Sequence, residues 1–263
     1  MPVETVLITG ASSGIGEELA ELFARDKSAL ILVARSQDKL RALADRLSQK
    51  YGVQTLVLVC DLSKPQAAQT LFDAVTTAGW TVDCLINNAG LGRLGYFEEI
   101  PFSETTDIIQ VNVLALSQLT RLILPGMVAR KRGQILNVAS TAAFQPGPNA
   151  VVYYASKAYV WHFSEGLQTE LAGTGVTVTC LAPGPTKTNF SEVAQMEGTF
   201  VFRNNAMDVK PVALAGYKAL RAGRTLVVPG LLNKVLQFGS KFSHWGIVKQ
   251  LMKTIMQPLP PRQ

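Results

Sequence analysis

Histidine and cysteine are scarce in this sequence, with two and three copies in 263 residues. His162 and His244 lie far apart and have no Cys, His or Asp partner at ligand spacing, so no metal site is expected. Cys60, Cys84 and Cys180 are odd in number and sit in or at the end of apolar runs. That reads as reduced, buried thiols of a cytoplasmic protein and not as a disulfide framework. No stretch approaches the ~18 uninterrupted apolar residues of a spanning helix. The opening "MPVETVLITG" lacks the charged and then apolar regions of a signal peptide. Acidic residues are missing from one part only. Residues 231–263 hold Lys234, Lys241, Lys249, Lys253 and Arg262 with no Asp or Glu, which accounts for +5 of the net +6. The first 230 residues carry 20 basic against 19 acidic groups, which argues against a nucleic-acid surface on the main body.

What is present is a regular alternation. Apolar runs at 3–9, 29–34, 53–60, 82–87, 133–140, 176–182 and 225–228 are separated by amphipathic stretches at 15–25, 37–50, 67–79, 101–130 and 150–172. Runs rich in Val, Ile and Leu without polar alternation are strands covered on both faces, as in a parallel sheet. Strand–helix alternation then predicts an α/β fold, a doubly wound, mainly parallel Rossmann sheet with right-handed crossovers. No repeat, low-complexity tract or linker divides residues 1–230, so one domain is expected there, followed by a helical extension over 231–263.

The first turn reads "TGASSGIG", Thr9 to Gly16, between the first strand and the first helix. Gly10 permits the tight turn, Gly14 lets the backbone approach a diphosphate, and Gly16 allows close helix–strand packing, with Ser12, Ser13 and Ile15 between them. The helix N-terminus adds N–H groups and positive dipole. The Lys-Ser/Thr ending of a P-loop is missing, which counts against an NTPase. After the second strand, "VARS" puts Ala34 where an acidic residue would hold a ribose 2′-hydroxyl, and Arg35 next to it. A guanidinium grips a 2′-phosphate, so the cofactor expected is NADP(H).

A second constellation is "VVYYASK". On a helix, Tyr153 and Tyr154 both neighbour Lys157, at four and three residues. A tyrosine moves protons near neutral pH only when a nearby cation favours its anion. Helical spacing alone leaves both phenols as candidates.

These motifs, with "CDL" (60–62), "NNAG" (87–90), "VNV" (111–113), "NVAS" (137–140) and "PGPTKT" (183–188), resemble the short-chain dehydrogenase/reductase family over residues 3–190. The resemblance implies hydride transfer between nicotinamide and a carbonyl or secondary alcohol. It implies Tyr153 as acid/base and Lys157 as the residue that lowers its pKa and holds the nicotinamide ribose. Ser140 would polarise the carbonyl, and Asn112 would support a proton relay. The thirteen-residue step from Ser140 favours Tyr153 over Tyr154, which becomes a packed neighbour. Asp61, with Leu62, would contact the adenine, and Asn88, Ala89 and Gly90 would lie along the cofactor. Pro183, Gly184, Thr186 and Thr188 would meet the nicotinamide end. Thr186 stands where many relatives have an aliphatic residue.

Residues 189–210, with Phe190, Met196, Phe200, Val201 and Phe202, fall where the family keeps a substrate lid, which suggests a hydrophobic carbonyl substrate. An acyl-chain 3-oxo reductase is the alternative within the class, and a non-catalytic NADP-binding regulator or scaffold the alternative outside it. The tail departs from the family. Ile247, Val248, Leu251, Met252, Ile255 and Met256 form one helical face, with Lys249 and Lys253 on another and Trp245 nearby. Such a helix suits an anionic membrane surface, the substrate cleft, or a partner subunit. A homodimer through the helices near 103–130 and 153–172 is expected instead of the family's tetramer.

Overall fold

The structure is a computed structural model that describes the chain at 3–196, 206–242, 246, 248–250, 252 and 256. Phe200, Val201 and Phe202 of the expected lid, and Trp245, Ile247, Leu251, Lys253 and Ile255 of the tail, lie outside the described residues.

Seven parallel strands form one sheet in the order β3-β2-β1-β4-β5-β6-β7. They are β1 (Thr5–Thr9), β2 (Ala29–Ala34), β3 (Thr55–Val59), β4 (Cys84–Asn87), β5 (Gly133–Val138), β6 (Val176–Leu181) and β7 (Leu226–Val227). Each falls inside an apolar run named above. The continuous hydrophobicity has a direct cause: Val6 and Ile8 enter the core on one face of the sheet, while Leu7 enters the core on the other. A strand sandwiched this way has no solvent side on which to place polar residues.

On one face pack α1 (Gly14–Arg25) and α2 (Gln37–Tyr51). The other face is covered by α3 (Ala67–Thr77) and a long helix made of α4 (Phe102–Ile109), a π-helical turn (Gln110–Ala115) and α5 (Leu116–Ala129). This continuous helix is long and apolar enough to cross a membrane, yet Val111, Ala115, Leu119, Ile123 and Met127 are buried in the core beside the sheet. Next come α6 (Val151–Glu170), the short α7 (Asn189–Val193), α8 (Val209–Arg221) and α9 (Leu231–Phe242). Cys84 and Cys180 are buried free thiols, and Cys60 is half-buried.

The strand order reverses at β1, which lies between β2 and β4. In an open parallel sheet this switch point leaves a crevice beyond the carboxyl ends of the strands. Gly10 follows β1, Arg35 follows β2, Asp61 follows β3, Asn88 follows β4, Ser140 follows β5 and Pro183 follows β6. The topology thus gathers residues spread over more than 170 positions at one edge of the sheet.

Candidate active site

A cleft of about 730 Å³ runs along that edge. Its floor begins at the first turn, where Gly10 and Gly14 adopt φ of +66° and +60°. A β-carbon on Gly14 would stand 2.9 Å from the Thr188 methyl, so the passage between the turn and the "PGPTKT" loop stays open only with glycine there. Asn88 braces the turn by donating from Nδ2 to the carbonyls of Thr9 (2.9 Å) and Gly10 (3.1 Å). The Thr9 hydroxyl accepts from the N–H groups of Asn88 and Ala89 at 3.0 Å each. Ser12, Ser13, Gly14 and Ile15 then line the cleft at the start of α1, and the first N–H groups of a helix have no partner within it. A diphosphate fits this cradle.

The exposed Arg35 lies at the far end of the cleft, and Ser36 and Lys39 join it there. The sequence reading named Arg35 alone. Lys39 stands on the first turn of α2, directly after the loop that carries Arg35, and a second cation that close in sequence was the available signal. Asp61 and Leu62 form the neighbouring wall. Burial works to raise the Asp61 pKa, but hydrogen bonds from Ser63 and the charges of Arg35 and Lys64 outweigh it and hold the carboxyl below its ordinary value.

At the other end stand the four residues expected to do chemistry. Tyr153 on α6 is 8% exposed and lines the cleft together with Ser140, whose hydroxyl acts to lower the phenol's pKa. Ser140 also caps a 3-10 turn (Thr141–Phe144), its Oγ accepting from the Ala142 N–H at 3.1 Å, which fixes the side chain. Lys157 lies one helical turn beyond Tyr153, buried, with Nζ 5.9 Å from the Tyr153 ring centre and donating to the Val138 carbonyl at 2.8 Å. Asn112, fully buried on the π-helical turn, accepts from the Leu91 N–H and donates to the Leu91 carbonyl, both at 2.8 Å, and donates to Ser156 Oγ at 2.9 Å. A β-carbon on Gly90 would stand 3.3 Å from Lys157 Nζ and 3.4 Å from Asn112 Oδ1, so Gly90 marks where these two groups converge.

The electrostatics differ from the simple expectation. Burial pushes the Tyr153 phenol up to about 12, with the Ser140 hydroxyl opposing, and pushes Lys157 down to about 8. Helical spacing predicts a lysine that lowers the phenol's pKa; here the lysine is itself desolvated, and burial outweighs the opposing effect of Ser140 on the phenol and of Cys180 on the lysine. A phenol that keeps its proton is the form able to donate one.

Tyr154 is placed differently. Its ring packs edge-on to Tyr153 at 5.9 Å between centres, and its hydroxyl meets Met256 Sδ at 3.2 Å. Burial raises its pKa as well. Thr186 is buried, donates to the Gly184 carbonyl at 2.9 Å and bridges to Met207; Thr188 donates to the Thr186 carbonyl at 3.4 Å. Pro183 and Gly184 line the cleft beside them.

Two features were not legible beforehand. Asn87, adjacent to Asn88, does not face the cleft. Its Nδ2 donates to Thr120 Oγ1 (3.0 Å) and Asn137 Oδ1 (2.9 Å), and Asn137 donates on to Ser164 Oγ (3.0 Å), a buried polar ladder tying β4 and β5 to α5 and α6. Asn233 on α9 is buried against Gly184, donates to the Pro229 carbonyl at 2.8 Å and lines the cleft. Of the tail stripe, Val248, Met252 and Met256 are buried in one cluster with Tyr153, and all three line the cleft.

Comparison with known proteins agrees with this geometry. The model of the family described as "short chain dehydrogenase" matches residues 4–197. A very-long-chain 3-oxoacyl-CoA reductase from Anas platyrhynchos is 34% identical over 195 residues, covering 72% of this chain; the chain spans 62% of that protein's length. Sulfoacetaldehyde reductase 2 from Chromohalobacter salexigens is 38% identical over 192 residues, covering 72% of this chain and 75% of that one. Among solved structures, a short-chain dehydrogenase from Sphingobium yanoikuyae in complex with NADPH superposes with a TM-score of 0.83 at 32% identity, covering 98% of both chains. The chain belongs to the short-chain dehydrogenase/reductase family of oxidoreductases.

Proposed function

We propose that this protein is an NADP(H)-dependent carbonyl reductase that acts on a hydrophobic ketone or aldehyde. The observation that carries the reading is Ser140 and Tyr153 on one wall of a cleft, with buried Lys157 one turn away, while the same cleft also holds Arg35 and Lys39. When bound, the nicotinamide supplies the hydride. Tyr153 then donates the proton to the developing alkoxide, and the Ser140 hydroxyl stabilises charge on that oxygen. Lys157 and the Thr186–Thr188 segment hold the nicotinamide end. Asn112 positions the Leu91 backbone beside Gly90 and serves the path by which Tyr153 recovers its proton. A pure NADP-binding scaffold would have no use for this polar set in a water-poor pocket.

Charge separates the candidate substrates. Among the described residues the cations lining the cleft are Arg35, Lys39 and Lys157, all assigned to the cofactor. The substrate end is lined by Phe144, Phe190, Met196, Val248, Met252 and Met256. A sulfonate buried there would find no counter-charge among the described residues, which disfavours an acidic aldehyde of the kind named for the bacterial relative. An acyl chain suits the apolar end, so 3-oxoacyl reduction is the second reading, favoured by the relatives of that name. A dinucleotide-binding and catalytic domain over residues 1–230, with the extension after it completing the substrate end, and a homodimer through the long helices belong to the same proposal.

Two measurements test it. The kcat/KM for NADPH should exceed that for NADH by about a hundredfold or more, and Arg35→Ala combined with Lys39→Ala should remove most of the difference, since each charged hydrogen bond is worth about 1.5–3 kcal/mol. A preference for NADH would sink the cofactor assignment. The pH profiles of the two directions should also diverge. Reduction uses protonated Tyr153, which a pKa of about 12 maintains across neutral pH. Alcohol oxidation needs the phenolate and should climb from about pH 7 to about pH 10. Parallel profiles would remove Tyr153 from the proton transfer.

A further inference from the structure

Catalysis by the proposed residues needs the cofactor cleft and the ends of the strands, but it gives no reason for the chain to return to Tyr153 about a hundred residues later. It does return. Val248, Met252 and Met256 are spaced by four, so they form one stripe on a helical path. Met252 and Met256 are 3% and 4% exposed, whereas Lys249 and Gln250, between Val248 and Met252 in sequence, are exposed. What buries the stripe is the wall of the substrate end and not the sheet core: Leu94, Ala142, Ala150, Tyr153, Ala194 and Met196, with Tyr154 and Phe190 against them. Two contacts fix its far end. The Asn149 side chain donates to the Met256 carbonyl at 3.4 Å, and the Tyr154 hydroxyl meets Met256 Sδ at 3.2 Å.

We propose that Met252 and Met256 are specificity-determining residues, forming a roof over the group beside the reacting carbonyl and selecting substrates by the size and shape of that group. This rests on the carbonyl reductase reading. The chemistry of the roof names the substrate class further. Met196, Met252 and Met256 place three thioether side chains in the cluster that holds Tyr153, and unbranched, polarisable side chains adapt to irregular apolar shapes where branched ones would not. The class that fits is a ketone with a bulky apolar substituent of variable outline. Tyr154 then acquires a role that differs from proton transfer: its ring seats the roof against Tyr153, and its hydroxyl holds Met256.

The test uses the full chain with NADPH and two ketones, acetophenone and benzophenone, which differ by one ring in the position the roof would cover. Met252→Ala with Met256→Ala should raise the benzophenone-to-acetophenone ratio of kcat/KM by about tenfold or more, since a pocket gains or loses about 10–200-fold per methylene-sized change. Met252→Phe narrows the same space and should lower the ratio by a similar factor, which keeps the test alive if the alanine pair fails to fold. Met256→Leu conserves volume and should leave the ratio within about threefold. NADPH affinity, followed by nicotinamide fluorescence, should change little in all of them. A ratio unmoved in variants that still bind NADPH would overturn the roof.

A readout independent of turnover separates this proposal from the reaction it rests on. In the protein loaded with NADP+, hydrogen peroxide should oxidise Met252 and Met256 more slowly when benzophenone is present, as mass spectrometry would read. No reduction of either ketone together with that protection would refute the reductase reading and retain the roof. Equal oxidation with and without benzophenone would refute the roof whatever the turnover.

Discussion

Tyr153→Phe is expected to lower the rate of carbonyl reduction by about a thousandfold, within the range a positioned general acid supplies, while NADPH binds nearly as well as before. The substitution removes one oxygen and leaves the ring that packs on Tyr154 and Phe190. Tyr154→Phe is the matched control because it deletes a hydroxyl from the adjacent residue of the same helix. That hydroxyl meets Met256 Sδ and not Ser140, so turnover of a small ketone should stay within about tenfold of the parent. The difference lies in where each phenol points. Tyr153 lines the cleft beside Ser140, the residue that would also touch the substrate oxygen, so an alkoxide bound there meets both donors. Ser140→Ala should accordingly cost about a hundredfold and, because Ser140 also caps the turn after β5, lower stability slightly. Single-turnover reduction followed by nicotinamide fluorescence separates these steps from cofactor binding. Loss of activity in Tyr154→Phe with activity kept in Tyr153→Phe would reassign the acid.

The strands and the cofactor turn were legible because one physical rule governs them. A strand buried on both faces must be apolar throughout, so β1, β2, β4 and β6 show themselves as runs, and observed boundaries fall within about two residues of the runs' ends. Helix α6 begins one residue after its expected start for a similar reason, since its pattern is continuous from Val151. Most candidate residues were found because each stands at the end of a strand, where side chains face the crevice. What escaped had no one-dimensional trace. The π-helical turn that aims Asn112 at Leu91 arises within an ordinary helical sequence. Asn87 and Asn88 are neighbours of the same type, yet the strand's alternation sends one into the core ladder and the other to the glycine turn. The tail's apolar stripe was visible, but a period of 3.6 says only that one face is covered, not by what. The described half, Val248, Met252 and Met256, is covered by the cleft wall.

Lys157→Met should abolish useful turnover and yet leave the thermal stability of the cofactor-free protein at neutral pH equal to the parent's or higher. The reasoning starts from burial. Desolvation lowers the Lys157 pKa from 10.5 to about 8, with the nearby Cys180 opposing weakly. Between those two values the unfolded chain binds more protons at this site than the folded one, so wild-type stability rises with pH across the window. Below about pH 8 both states are protonated and the full cost of burying the charge, about 3 kcal/mol, is felt. Methionine keeps most of the apolar stem and removes that cost. It also leaves the Val138 carbonyl without the Nζ donor, a loss of about 1–3 kcal/mol that does not depend on pH. At about pH 7 the two effects leave the variant equal to the parent or up to about 2 kcal/mol more stable; at about pH 10.5 only the loss remains, and the parent wins. The difference in Tm between the two proteins, measured from about pH 7 to about pH 10.5, should therefore fall steadily and change sign or approach it. A variant uniformly less stable, with no pH slope, would mean that Lys157 is an ordinary packed lysine. A slope together with lost turnover would mean that the fold accepts a destabilising charge at this position for the sake of the chemistry beside it.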